Sequence, residues 1–133
     1  MGGGQREKTV LCIDDDLSFL RLLRTSLELD GYRVITETDG LAALRLATTS
    51  AEIDAVVTDF HMPGDMDGSQ VAAMVRHSFP RIPVIIASGR PEVLNADWQT
   101  DHGYRLLKKP YLPSDLVKLL RLLADPARPP GQA

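Results

Sequence analysis

The sequence predicts an α/β domain, a doubly wound parallel sheet of five strands in a (βα)5 arrangement. Three observations predict it. Short apolar runs alternate strictly with longer segments of helical periodicity along the chain. The runs are continuously apolar and rich in Val and Ile, as parallel strands covered on both faces are. The chain's 133 residues, 44% hydrophobic and 25% charged, suit one domain around one core.

The elements follow in order. "TVLCI" (9–13) is a buried strand, and "LSFLRLLRTSLELDG" (17–31) is a helix with Leu20, Leu23 and Leu27 on one stripe and Gly31 as its stop. "YRVITE" (32–37) is the second strand and "GLAALRLATT" (40–49) a short helix. "DAVVTD" (54–59) is the third strand, and "SQVAAMVRHSF" (69–79) places Val71, Met74, Val75 and Phe79 at helical spacing. "IPVIIAS" (82–88) is the fourth strand, "RPEVLNADW" (90–98) a weak helix and "YRLLK" (104–108) the fifth strand. "LPSDLVKLLRLLAD" (112–125) closes the domain with Leu116, Leu119, Leu120 and Leu123 on one face. Residues 1–8 read as a flexible start, 9–124 as the domain and the Pro-rich 125–133 as a disordered tail.

Charge and cysteine content narrow the function classes. With 15 basic and 18 acidic residues the net charge is −3, unlike a nucleic-acid-binding surface, which is normally basic. The single cysteine, Cys12, admits no internal disulfide and suits a reducing compartment. No apolar stretch is long enough to span a bilayer, and no signal peptide is visible, so the expected location is the cytoplasm, without a membrane or nucleic-acid partner.

In open parallel sheets the binding site lies at the carboxyl ends of the strands. Here those ends carry Asp14, Asp15 and Asp16 after the first strand, Asp59 on the third, Ser88 on the fourth and Lys109 after the fifth. Clustered carboxylates repel unless a cation neutralises them, and a hard divalent ion with oxygen ligands does so. A lysine for an anionic group and a hydroxyl for a hydrogen bond complete a phosphoryl-transfer set. Other acids read more plainly. Asp16 precedes a helix and reads as its N-cap, and Asp39-Gly40 reads as a turn and helix start. Cys12 reads as a small buried hydrophobe, and His77 and His102 as exposed side chains without zinc-ligand spacing.

"CIDDD", "VVTDFHMPGDMDG", "VIIASG" and "LLKKPY" together resemble the receiver domain of bacterial response regulators, over roughly residues 8 to 124. The resemblance implies a flavodoxin-like receiver fold and a role in two-component signalling. It implies that Asp59 is the phosphoacceptor, taking a phosphoryl group from a phosphohistidine. Asp15 would bind Mg²⁺ (or Mn²⁺) directly, Asp14 through water, and the backbone carbonyl of His61 would be a further ligand. Ser88 and Lys109 would contact the phosphoryl group, and Lys109–Pro110 would be a cis peptide. The implied partners are a histidine kinase or histidine phosphotransfer protein as donor, and an output protein. The output protein would meet a face made by the fourth helix, fifth strand and last helix, including Trp98, Tyr104 and Leu106. Receivers often form homodimers through that face. The chain would be a signalling switch and not an enzyme with a free substrate.

Two departures stand out. The loop "MPGDMDG" is one residue longer than the usual form and resembles receivers of hybrid histidine kinases. The switch-aromatic position is Leu106, with Tyr104 two residues earlier. Arg90 and His61 occupy positions that vary in the family. Two other readings compete: a degenerate receiver serving only as an interaction module, and a Mg²⁺-dependent phosphatase of the haloacid dehalogenase type. The latter needs a second acid two residues past its nucleophile, where this chain has His61.

Overall fold

The computed structural model describes residues 7–49, 52–61, 68–78, 80–89 and 104–124. The chain runs β1 (Thr9–Ile13), α1 (Leu17–Leu29), β2 (Arg33–Glu37), α2 (Gly40–Thr49), β3 (Ala55–Asp59), α3 (Gly68–Ser78), β4 (Val84–Ser88), β5 (Arg105–Lys108) and α4 (Pro113–Ala124). The sequence-predicted helix at 90–98 with Trp98, most of the loop after Asp59, Phe79, Arg90, His102 and the tail at 125–133 lie outside the described residues.

The five strands form one sheet in the order β2-β1-β3-β4-β5, every neighbouring pair parallel. This is the doubly wound fold that the alternation of elements predicts. The two-residue period of a strand divides each apolar run between two cores. Val10 and Cys12 of β1, Ala55 and Val57 of β3, and Ile85 and Ala87 of β4 meet α1 and α4 on one face. Leu11, Ile13, Val56, Val84 and Ile86 meet α2 and α3 on the other. With both faces covered, β1, β3 and β4 are buried throughout, whereas β5 is an edge strand whose ends, Arg105 and Lys108, are exposed.

Local signals set the helix ends. The Asp16 carboxylate accepts from the Phe19 N–H at 3.1 Å, the N-cap that the sequence predicts. At the other end Gly31 takes φ +95°, a left-handed conformation that a side chain would oppose. There the Tyr32 N–H bonds Leu27 O and the Gly31 N–H bonds Glu28 O, which gives two carbonyls of the last turn a partner. Asp39 accepts from the Ala42 N–H at 2.9 Å and starts α2 as expected.

Two expectations are corrected. Met74 does not join the core of α3; it is 45% exposed, and Ala72 is buried beside Val71 and Val75 instead. On a 100° helical step Val71, Ala72 and Val75 share one stripe, and Met74 falls off its edge. Tyr104 is not part of an exposed readout surface. It is buried in the core beneath α3, with the Arg76 guanidinium 5.7 Å from its ring centroid. Arg76 is itself anchored to the carbonyls of Pro80 and Ile82. Leu106 is half-buried against the same core.

The buried acids of the core make the fold sensitive to alkali. Burial pushes the Cys12 thiol from its ordinary 9.0 up to about 12, and burial also raises the Tyr111 phenol. The unfolded chain loses these protons first, so above pH 9 it binds fewer protons than the folded chain, and stability falls as pH rises, by up to about 1.4 kcal/mol per pH unit per group. Urea unfolding from about pH 8 to 10.5 should show the midpoint falling from about pH 9. In Cys12→Ala the fall should begin nearer pH 10, where the tyrosines start to ionise.

Candidate acidic site at the carboxyl edge of the sheet

The site forms because four parallel strands end on the same edge. β1 and β3 are neighbours in register, Ile13 beside Thr58, so Asp14 and Asp59 emerge side by side. β4 adjoins β3 with Ala87 beside Asp59, and β5 adjoins β4 with Lys108 beside Ser88. Backbone bonds continue past the strands: the Phe60 N–H donates to Ala87 O and the Lys109 N–H to Ser88 O, each at 2.9 Å. Asp14, Asp15, Asp59, Ser88 and Lys109 are thereby gathered at one edge.

Lys109 is the hub. Its Nζ lies 3.3 Å from Asp14 Oδ2 and 3.2 Å from Asp59 Oδ1. Asp14 is further held by the Asp16 N–H, which donates to its Oδ1 at 2.9 Å. The His61 N–H reaches Asp59 Oδ1 at 3.4 Å, while the His61 ring, exposed, stands edge-on to Phe60. Asp14, Asp59 and Ser88 are buried, and Asp15 is exposed. The Lys109–Pro110 bond is cis, as the family resemblance implies.

Burial sets the electrostatics. It raises the Asp14 carboxyl above the usual range; the Asp16 hydrogen bond and Lys109 oppose it, and Asp59 adds to it. Burial alone would lower the Lys109 ammonium, but Asp14 and Asp59 together outweigh it and hold it above the ordinary lysine value. Asp14, Asp15 and Asp59 can bring one oxygen each within 4.8 Å of one another. Three carboxylates against one ammonium leave an excess negative charge on oxygen donors alone. That is the chemistry of a hard divalent cation site, and the residues fit Mg²⁺. Asp16, by contrast, is spent on the helix cap.

Beside the acids opens a cleft of about 320 Å³ lined by Asp14, Asp16, Phe19, Lys109, Pro110 and Tyr111. Phe19 and Tyr111 were not among the residues singled out for the site. Phe19 follows Asp15 by four residues and Tyr111 follows Lys109 by two, but only the fold shows that they meet. A larger cavity of about 490 Å³, lined by residues such as Glu7, Glu28, Arg33 and Glu52, borders the amino ends of β1 and β2 and has no part in this edge.

Residues 10–121 match the family described as "Response regulator receiver domain". The chain is 32% identical over 116 residues to the uncharacterized transcriptional regulatory protein YbdJ of Bacillus subtilis, covering 87% of this chain and 50% of that protein. It is 31% identical to the response regulator MprA of Mycobacterium avium, covering 93% of this chain and 54% of that one. The chain therefore spans about half the length of these curated relatives. Among solved structures, the crystal structure of a response regulator receiver domain protein from Clostridium thermocellum superposes with a TM-score of 0.79 at 30% identity, covering 87% of this chain and 93% of that one. With the sheet order, the acidic edge and these likenesses together, the chain belongs to the response regulator receiver domains of two-component signalling.

Proposed function

We propose that Asp59 is the phosphoacceptor of this receiver and that Asp14, Asp15, Asp59 and the His61 carbonyl hold Mg²⁺. The observation that carries the reading is the sharing of one ammonium, Lys109, between a buried Asp14 and a buried Asp59 at the strand ends. Bound Mg²⁺ supplies positive charge against the carboxylates and the phosphoryl oxygens. An Asp59 carboxylate oxygen attacks the phosphorus of a donor phosphohistidine; the new O–P bond forms as the P–N bond breaks, and the imidazole leaves. Lys109, already beside Asp59, meets the developing phosphoryl charge, and the Ser88 hydroxyl donates to a phosphoryl oxygen. The product is an acyl phosphate whose added charge redistributes the Lys109 contacts.

The donor is a histidine kinase or a histidine phosphotransfer protein. The output is a contact of the face around β5 and α4 with another protein or with a second copy. With Tyr104 buried and Leu106 aliphatic, this reading assigns no tyrosine to the switch. The expectation of no nucleic-acid partner finds no support, because one curated relative is named as a transcriptional regulatory protein and is about twice as long. No helix among the described residues is long and apolar enough to cross a membrane. The intact Asp59–Lys109 pair argues against a degenerate module, and His61 two residues past Asp59 argues against the dehalogenase-type phosphatase.

Intact mass after incubation with acetyl phosphate should show one phosphoryl adduct that requires Mg²⁺ and is absent in Asp59→Asn. An unmodified native chain under these conditions and with a panel of histidine kinases would exclude the reading. A second outcome follows from the strained charge of Asp14. Its carboxyl is raised, so its ionised form at pH 7 costs stability, and the cost disappears as pH falls through its raised value. Asp14→Asn should therefore melt about 3–5 °C higher than the native chain without Mg²⁺. It should also lose most of the rise in melting temperature that Mg²⁺ produces in the native chain, as scanning calorimetry with and without the ion would report.

A further inference from the structure

We propose that Phe19 and Tyr111 are positioning residues whose edge-to-face contact clasps the start of α1 to the turn after β5 and so sets the Asp14–Lys109 separation. The inference rests on the function proposed above for Lys109 and Asp14.

The sheet order creates the need. β1 and β5 are not neighbours; β3 and β4 lie between them. Three strand spacings of about 4.8 Å put the two strands roughly 14 Å apart. No backbone ladder joins them directly, so the placement of Lys109 against Asp14 inherits the play of two intervening strands. The aromatic pair is a direct tie across that gap. The Phe19 and Tyr111 ring centroids are 5.2 Å apart at an interplanar angle of 81°, a favourable edge-to-face arrangement.

The tie closes a circuit. The Asp14 Oδ2 meets Lys109 Nζ at 3.3 Å, and Lys109 is bonded through Pro110 to Tyr111. Tyr111 packs on Phe19, whose own N–H donates to Asp16 Oδ1 at 3.1 Å. The Asp16 N–H returns to Asp14 Oδ1 at 2.9 Å. Tyr111 is buried, and Phe19 is partly buried against the same core, so the pair is backed by α1 and α4 rather than by solvent. Both rings also line the cleft that opens beside Asp14 and Lys109. Moving either ring therefore shifts an acid or the lysine.

Four variants test it: Phe19→Leu, Tyr111→Leu, the double variant and Tyr111→Phe. The maximal rate of Mg²⁺-dependent adduct formation from acetyl phosphate should fall about tenfold in each leucine variant, with the double variant no slower than the worse single, because a small displacement from productive geometry is costly. Tyr111→Phe keeps the ring and should restore the rate to within about twofold. A pair that only packs would lower the melting temperature and leave the rate, measured well below it, unchanged. Such a result overturns the proposal, as does Tyr111→Phe slowing as much as Tyr111→Leu. A second readout is independent of phosphorylation. The ¹³Cε signal of Lys109, assigned by its loss in Lys109→Arg, should move toward those of exposed lysines in Phe19→Leu and stay in place in Tyr111→Phe. If the native chain takes no phosphate, the functional reading fails and the lysine signal alone decides the clasp: an unmoved signal in folded Phe19→Leu overturns it.

Discussion

One ammonium shared between two buried carboxylates is the interaction around which the carboxyl edge of the sheet is arranged. Desolvating a carboxylate costs several kcal/mol unless it is paired and hydrogen-bonded. Asp14 and Asp59 are both buried within reach of Lys109, and each accepts a further backbone N–H, from Asp16 and His61. Lys109 cannot neutralise both acids and Asp15 as well. The leftover negative charge lies on oxygen donors alone, the donor set that a hard divalent cation takes.

The rest of the fold serves to hold those groups in place. Parallel pairing brings the chemical ends of β1, β3, β4 and β5 to one edge, and burial on both faces removes freedom to slide, since a one-residue slip would send each strand's apolar set to the wrong core. Side chains on β1 illustrate the division: Val10 and Cys12 serve one core, Leu11 and Ile13 the other. The strand ends at Ile13, and the acids begin at the next residue. Asp16 turns the chain into α1, and its backbone N–H fixes Asp14 in the same stroke. Capping and site construction thus use one residue.

The two sides of the sheet differ in how their aromatic residues pack. On the α3 side Tyr104 is buried in the core with the Arg76 guanidinium over its ring. On the opposite side Tyr111 and Phe19 join the turn after β5 to α1, next to the acids. Lys109, in contact with both buried acids, is two residues from Tyr111 and so joins the acidic edge to that aromatic pair.

The sequence alone determined much of this protein. Apolar runs and helical stripes are local patterns, and they located the described strands and helices to within a residue or two, together with the N-cap at Asp16 and the acids, serine and lysine at the strand ends. The motifs pointed to the family that the comparisons then showed. What the sequence could not decide depends on contacts between distant elements. The order β2-β1-β3-β4-β5 makes Asp14 and Asp59 neighbours and leaves β1 and β5 apart. Burial separates Asp14 from Asp15, which are adjacent and chemically identical. Met74 and Tyr104 were misplaced because periodicity marks a stripe without fixing its edge, and because a tyrosine before an edge strand carries no local sign of which face covers it. Phe19 and Tyr111 lie 92 positions apart, and their meeting depends on how α1 and the turn after β5 pack, which only the tertiary structure settles.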